Sequence, residues 1–340
     1  MDFQLSEEQK QITKAAYELA KKEFPNYAHD CDVNETWPRE LFDTLAQQGF
    51  IGVTIPEEYG GPGLGNLENA LVMEQFGRMD GGLAVAMGAS TFGSEMLREI
   101  GTEEQANHWL PKLAKGEAIS GAAISEANAG SDVAAATCKA EKDGDAWVLN
   151  GQKYWITNAT IADFLVVLAE TDPDAESRHA RHSIFLVECD RDGVTSNKIT
   201  GKLGIRASPT AEVVLDDVRV PEENMLGDRG MGFKYVMQFF NETRIMVAAQ
   251  GVGIAQGSVD RALDYSKERV QFNQPIAKFQ GIQFKLAEMA TKVECARMLT
   301  YKAAWLADQG RPDPQASSMA KWYSGETAVR VSDEAVQIHG

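Results

Sequence analysis

The chain changes its hydrophobic pattern twice, and this change limits the folds that it can adopt. Between Ile119 and Pro221 the apolar runs are short and rich in β-branched residues, and turn-forming clusters separate them. On both sides of this stretch, apolar residues recur with helical spacing. Because 340 residues exceed what one compact core usually holds, we predict a multidomain α+β protein. Its domains are an N-terminal all-α domain at 1–117, a central β domain at 118–225 and an incomplete C-terminal helical bundle at 226–340.

Capping signals and periodicity predict the individual helices. Ser6 with Gln9, and Thr102 with Gln105, form the Ser/Thr-x-x-Gln pattern that opens a helix. One continuous helix is predicted from Ala84 to Leu97. Antiparallel bundles normally close with four helices, whereas the last third predicts three long ones, at 233–272, 279–306 and 314–338.

The stretch from Ile124 to Ala159 carries the strongest signal for a binding site. It begins with the polar loop ISEANAGSD and ends with NGQKYWITNA, which reads as a strand. Alternate positions of a strand face the same side of a sheet, so we expect Trp155 and Thr157 to face one ligand together. A hairpin packed on its own core explains the same residues equally well.

Charge and cysteine spacing exclude several classes of function. The formal net charge is −17 at pH 7, whereas nucleic-acid binding requires a basic surface. The four cysteines are widely spaced and form no CxxC pair, so we expect neither a disulfide framework nor a metal site. The N-terminus lacks the features of a secretory signal, and no apolar run is long enough to cross a bilayer. We therefore expect a cytoplasmic protein, or an organellar matrix protein after processing.

Two glycine patterns and two histidines do not indicate ligand sites. The pattern GGPGLG lies between predicted helices, and GVGIAQG lies inside one, whereas a dinucleotide-binding fingerprint must follow a strand and open a helix. In GVGIAQG we expect small residues that allow close helix packing. We interpret His179 and His182, in a loop of mixed charge, as surface residues.

Arginines in the helical last third indicate anion recognition. Arg244 lies near the start of a long predicted helix, where it could fix an anion or form a salt bridge on the helix face. Arg269, Phe272 and Gln280 surround a proline-bearing bend between two helices. Because bundle ends are common subunit contacts, this bend could serve a neighbouring subunit.

Eight motifs occur in one order through nearly the whole chain: IPEEYGG, ISEANAGSD, NGQKYWITNA, LDDVRVPEENMLG, GMGF, NETR, ERVQF and AVQIHG. In this order they resemble the acyl-CoA dehydrogenases, a family of FAD-dependent flavoenzymes with an α domain, a β domain and a helical bundle. The resemblance implies an enzyme of fatty acid metabolism, with an acyl-CoA substrate and an electron-transferring flavoprotein as partner. It also implies a homo-oligomer, usually a tetramer.

The resemblance also implies roles for individual residues. Four residues would line the flavin ring: Ile124, Ser125, Trp155 and Thr157. Four others would hold the FAD pyrophosphate and adenosine across a subunit interface: Arg269, Phe272, Gln280 and Gln337. Ser131 would bind the CoA portion, and the segment from Asn241 to Arg244 would flank the thioester end.

The chain departs from the family pattern at several positions. Ser125 and Ala127 replace the usual threonine and proline, and serine keeps the hydroxyl. Leu83 stands where glutaryl-CoA members carry an arginine, so we do not expect a dicarboxylyl substrate. The segment near Ala84 to Thr91, which would form the pocket floor, is too generic to indicate the acyl chain length.

The family reaction needs a carboxylate base that removes the proton alpha to the thioester while the beta hydrogen passes as a hydride to flavin N5. Isovaleryl and long-chain members place a catalytic glutamate at the position of Thr243, and most other members carry it in a loop beyond QIHG. We therefore expect the base beyond Gly340 and the given sequence to be a fragment. Two alternatives stay open: a catalytically inactive assembly or scaffold protein, and an enoyl-CoA reductase working in the reverse direction.

Overall fold

The structure is a computed structural model that describes residues 4–340. These residues form two compact units. The helical unit contains Leu64–Val85, Asn241–Gly340 and the described residues up to Ala28. The sheet unit contains His29–Gly63 and Ala86–Phe240. The three-segment division at 117 and 225 stays a prediction. In the range 4–340, no helix is both long enough and apolar enough to span a bilayer.

Helices form both ends of the chain, as the sequence predicts. In chain order the helices of the described residues are α1 (Glu7–Glu23), α2 (Ala28–Asn34), α3 (Arg39–Gln47), α4 (Asn66–Met79), α5 (Gly81–Gly88), α6 (Ser94–Ile100), α7 (Glu103–Ala114), α8 (Gly232–Glu268), α9 (Gln280–Asp308) and α10 (Pro314–His339). Both predicted capping boxes are present. The Ser6 hydroxyl accepts from Gln9 N–H at 3.1 Å, and the Thr102 hydroxyl accepts from Gln105 N–H at 3.2 Å.

The predicted helix from Ala84 to Leu97 is wrong, because the chain breaks it into α5 and α6. Gly93 has φ +100°, which lies in the left-handed region and cannot continue an α-helix. Thr91 instead forms a bridge with Ser120. The break therefore brings this segment against the first residue of the sheet.

The central stretch forms one sheet, which confirms the predicted β segment. Its strands are β1 (Ser120–Ala123), β2 (Lys139–Asp143), β3 (Ala146–Thr157), β4 (Phe164–Glu170), β5 (His182–Glu188), β6 (Val194–Lys198), β7 (Thr210–Pro221) and β8 (Met225–Leu226). They are ordered β6-β7-β3-β2-β4-β5-β8, and β1 pairs parallel with β4. A separate two-stranded hairpin joins β9 (Val270–Gln271) to β10 (Gln274–Pro275).

The apolar run FLVVLAE forms β4, which is buried on both faces. Phe164 and Val166 belong to a core cluster with Leu110 of α7. Leu165 and Val167 belong to a second cluster with residues of β3 and β7. This double burial explains why the sequence of β4 does not alternate between apolar and polar residues.

The three long helices predicted in the last third are confirmed as α8, α9 and α10, and α1 and α4 belong to the same compact unit as these helices. Helix α4 packs against α8 and α9 although it lies far away in sequence. A Cβ on Gly253 of α8 would come within 2.2 Å of the Glu74 carbonyl of α4. The small residues of GVGIAQG therefore allow close helix packing, as predicted.

A buried charged cluster joins α4 to α9. Arg297 Nε donates to Glu74 Oε1 at 3.0 Å, and the Tyr301 hydroxyl donates to Glu74 Oε2 at 2.8 Å. Gln256 of α8 accepts from Arg297 Nη2 at 2.7 Å. Burial and the neighbouring Glu74 charge raise the pKa of Tyr301, so its hydroxyl stays a donor. Three helices are thus tied to one carboxylate.

We predict that Arg297→Met destabilises the helical unit by about 3 kcal/mol, because it leaves the Glu74 carboxylate buried without its counter-charge. Lys292→Met is the matched control, since Lys292 lies on the same helix and pairs with the exposed Glu288. That control should cost less than about 1 kcal/mol. Urea denaturation of both variants checks the prediction, and equal losses would contradict it.

Candidate active site

The polar loop after β1 lies directly against the end of β3. The Tyr154 N–H donates to the Ser125 carbonyl at 2.9 Å. Ile124 is buried, whereas Ser125 is only half-buried. The structure therefore brings together the two halves of the stretch that the sequence singled out.

A β-bulge changes the direction of the side chains near the end of β3. Lys153 pairs with Val213, but the next registered pair is Ile156 with Ala211, so two residues of β3 oppose one residue of β7. Trp155 is one of these two residues and has φ +59°. The bulge therefore interrupts the alternation of β3 between Lys153 and Ile156.

The bulge leaves Trp155 57% exposed, although β3 is an interior strand of the sheet. Ile156 is buried, so its two neighbours, Trp155 and Thr157, face away from that core. The end of β3 thus carries an exposed indole ring at Trp155 and a hydroxyl at Thr157, and the half-buried Ser125 lies in the loop that bonds to this strand. Such a surface can hold a flat, polar ring by stacking and hydrogen bonding.

A buried ion pair lies behind this surface and was not predicted. Lys153 is 0% exposed, and its Nζ donates to Glu126 Oε1 at 2.8 Å and to the Ile124 carbonyl at 3.2 Å. Burial by itself raises the pKa of Glu126. The charge of Lys153 and the hydrogen bonds from Lys153, Thr137 and Cys138 outweigh burial and hold that pKa below its ordinary value.

Asn158 is a second residue that the sequence analysis missed. It is fully buried with φ +67°, a conformation that asparagine tolerates better than most residues. Its side-chain amide donates to the Ala89 carbonyl at 2.6 Å and to the Ser120 carbonyl at 3.0 Å. Asn158 therefore ties the α5–α6 connection and β1 to the residue that follows Thr157.

The loop around Ser131 is exposed. The neighbouring Asp132 pairs with Arg178, and the His179 ring stacks on Phe233 with ring centroids 4.3 Å apart. Ser131 is thus accessible at the surface of the sheet unit.

The interpretation of His182 as a surface residue is wrong. His182 is 1% exposed, because it starts β5 and pairs with Glu170 of β4 inside the sheet. Its Nε2 lies 2.8 Å from the Ala136 carbonyl.

In the helical unit, the residues predicted around the bend lie at one exposed hairpin. Phe272 and Asn273 have φ +51° and +64°, and they form the two-residue turn between β9 and β10. Phe272 is 86% exposed, and Arg269 and Gln280 are exposed on either side of the hairpin. Gln337 is exposed in the last turn of α10.

The NETR segment lies in α8. Arg244 Nη1 donates to Asn241 Oδ1 at 2.8 Å, so the guanidinium is oriented by a neighbour one turn away. Thr243 and Leu83 are buried.

Three family models match the chain in order. They are described as the acyl-CoA dehydrogenase N-terminal domain, middle domain and C-terminal domain, and they match residues 6–117, 121–218 and 230–340. The chain belongs to the acyl-CoA dehydrogenase family. Members of this family are flavoprotein oxidoreductases.

Individual proteins support the same assignment. The probable acyl-CoA dehydrogenase YngJ of Bacillus subtilis is 40% identical over 341 residues, which cover 100% of this chain and 90% of that protein. The 3-(aryl)acrylate reductase of Clostridium sporogenes is 38% identical over 337 residues, 98% of this chain and 89% of that protein. The structure of butyryl-CoA dehydrogenase from Megasphaera elsdenii superposes with a TM-score of 0.96 at 37% identity, covering 100% of this chain and 90% of that one.

We predict that Asn158→Ala costs about 2–4 kcal/mol of stability, because it removes both buried hydrogen bonds of the Asn158 amide and places alanine at positive φ. Asn158→Gly loses the same hydrogen bonds without the backbone strain and should cost less. Asn197→Ala, on the exposed face of β6, is the control. Denaturation midpoints of the three acyl-CoA dehydrogenase variants give the ranking, and an unchanged midpoint for Asn158→Ala would contradict a stabilising role for the Asn158 amide.

Proposed function

We propose that this acyl-CoA dehydrogenase family member binds FAD and dehydrogenates an acyl-CoA thioester between its alpha and beta carbons. A base would take the alpha proton, and FAD, when bound, would supply at N5 the acceptor for the beta hydrogen as a hydride and the route by which electrons reach an electron-transferring flavoprotein. The observation that carries this proposal is the bulged end of β3, which exposes Trp155 beside Ser125 and Thr157.

The residues at this strand end fit a flavin ring. Trp155 offers an exposed aromatic face, and Ser125 and Thr157 offer hydroxyls that can donate to ring oxygens and nitrogens. Ile124 contributes apolar contact at the base of the loop. When bound, FAD supplies the hydride acceptor, and the protein fixes where that acceptor lies.

By family resemblance, we propose that Ser131 binds the CoA portion and that Asn241 and Arg244 flank the thioester end. The hydrogen bond from Arg244 to Asn241 orients the guanidinium before a ligand arrives, which lowers the entropy lost on binding. The buried, apolar Leu83 cannot pair with a distal carboxylate, so we propose a substrate with an uncharged acyl chain.

Thr243 is not proposed as the base. Its hydroxyl does not ionise near neutral pH, so Thr243 cannot act as the base that accepts the alpha proton. Removing an alpha proton requires a group such as a carboxylate, together with hydrogen bonds that stabilise the developing enolate.

The reverse reaction, reduction of an enoyl-CoA, is the second candidate. The observation that favours it is the 38% identity to a protein named as a 3-(aryl)acrylate reductase. The residues that would bind flavin and CoA are the same in both directions, so their geometry does not distinguish the two. The direction depends on the electron donor or acceptor that meets the flavin.

We further propose a cytoplasmic homo-oligomer, a tetramer by family resemblance, in which a second copy contributes to FAD binding. The exposed Arg269, Phe272, Gln280 and Gln337 are the residues that would hold the pyrophosphate and adenosine. We propose that each copy consists of three domains, at 1–117, 118–225 and 226–340.

We predict that the purified full-length protein takes up FAD and that a saturated acyl-CoA bleaches its visible flavin absorbance under anaerobic conditions. Trp155→Ala should weaken FAD binding roughly tenfold or more, through loss of ring stacking. Trp322→Ala is the control, because Trp322 is similarly exposed but lies on α10. Failure of the purified protein to bind FAD would contradict the proposal. The reductase would be favoured if the acyl-CoA did not bleach the flavin, whereas an enoyl-CoA reoxidised flavin that a chemical reductant had bleached.

We predict that Arg269→Ala weakens FAD binding about tenfold to a hundredfold, since a hydrogen bond from a charged group to a phosphate is typically worth about 1–3 kcal/mol. It should also shift the sizing profile toward smaller species. Lys267→Ala removes an exposed charge two residues away and serves as control. Unchanged FAD affinity in Arg269→Ala would exclude Arg269 from the cofactor site.

A further inference from the structure

The buried pair of Lys153 and Glu126 connects the loop after β1 to the bulged end of β3. Lys153 Nζ donates both to the Ile124 carbonyl and to Glu126 Oε1. The next residue of the strand, Tyr154, donates its N–H to the Ser125 carbonyl. Three successive residues of the loop are therefore bonded to two successive residues of the strand.

The Glu126 carboxylate is itself fixed from the other side. Its Oε1 accepts from the Cys138 N–H at 2.9 Å, and its Oε2 accepts from the Thr137 N–H at 2.7 Å and the Thr137 hydroxyl at 2.9 Å. Both oxygens thus have protein partners that lie at the entry to β2. The carboxylate can move only if this part of the backbone moves with it.

A buried ion pair is a poor means of stabilising a fold. Removing two charges from water costs several kcal/mol, and apolar residues of the same volume often stabilise a protein as well or better. The side chains of this pair are only 0% and 7% exposed, so solvent does little to reduce that cost. What the pair provides is geometry, because charged hydrogen bonds are short and directional.

The hydrogen bonds of this pair hold the residues that are proposed to face the flavin. Ile124 receives a hydrogen bond directly, Ser125 is the next residue, and Trp155 lies two residues after Lys153 in the bulge. We propose that Lys153 and Glu126 are positioning residues for the flavin, setting the distance between the loop at Ile124 and Ser125 and the exposed face of Trp155. This inference rests on the proposed FAD-binding function.

If the pair positions the flavin, its effect on FAD binding can be separated from its effect on the stability of the fold. Lys153→Met keeps most of the side-chain volume but leaves Glu126 buried without its counter-charge, so that variant alone loses both properties. The double variant Lys153→Met with Glu126→Leu removes both charges and should recover stability. However, the double variant lacks the hydrogen bond from Lys153 that holds Ile124 to the strand, so it should not recover the wild-type affinity for FAD.

The experiment compares the wild type, Lys153→Met, Glu126→Gln, the double variant and a control, Lys142→Met, which breaks a more exposed pair with Glu222 in the same unit. Each full-length protein is measured for its urea midpoint without cofactor, its FAD dissociation constant, its visible circular dichroism spectrum with FAD and its flavin midpoint potential. The control should match the wild type in all four measurements.

The proposal expects the double variant to have a near-wild-type urea midpoint but FAD binding weakened about tenfold or more, with an altered flavin spectrum. Glu126→Gln keeps the shape of the carboxylate and should show the same loss of affinity if the double variant does not fold. Recovery of stability, affinity and spectrum together in the double variant would overturn the proposal and leave the pair a purely structural role. If the wild type itself binds no FAD, the proposed function fails first and this inference falls with it.

Discussion

One extra residue in β3, between Lys153 and Ile156, determines which side chains face outward at the end of this strand. With strict alternation from Lys153, Trp155 would share the buried side of the strand with that lysine. The bulge shifts the register by one, so that Trp155 becomes exposed and Ile156 enters the core. The candidate flavin face in the sheet unit exists because of this shift.

The bulge is maintained by contacts on both sides of it. A tryptophan at φ +59° is in a conformation that costs of order 1–3 kcal/mol, and such strain persists only where the surroundings determine it. Lys153, before the bulge, and Tyr154, within it, bond to the loop after β1, and Asn158 bonds to Ala89 and Ser120 after the bulge. The strained residue thus lies between two positions whose hydrogen bonds hold the backbone on either side of it.

Local patterns predicted much of this molecule, and long-range contacts account for what they missed. Capping at Ser6 and Thr102 and the β-rich central stretch are visible in short segments of sequence, and the structure agrees with them. The small residues of GVGIAQG correctly predicted close packing but did not identify α4 as the partner. The break near Gly93 was missed because it depends on a bridge to Ser120, and the burial of His182 because it depends on β4. A signal for Lys153 was present, since period two places it on the buried side with Trp147 and Leu149, but no sequence rule names its partner.

Each of the two units contains a buried carboxylate. The two carboxylates have different hydrogen-bond partners and therefore fix different parts of the structure. Glu74 is held by Arg297 and Tyr301, so it fixes the packing of one helix on another. Glu126 is held by Lys153 and by backbone N–H groups, so it fixes the main chain itself. A side-chain partner can be replaced by apolar packing with little loss of position, because helices are rigid without it. An irregular loop has no such internal rigidity, and a buried charge bonded to its backbone is one of the few devices that can give it a single conformation.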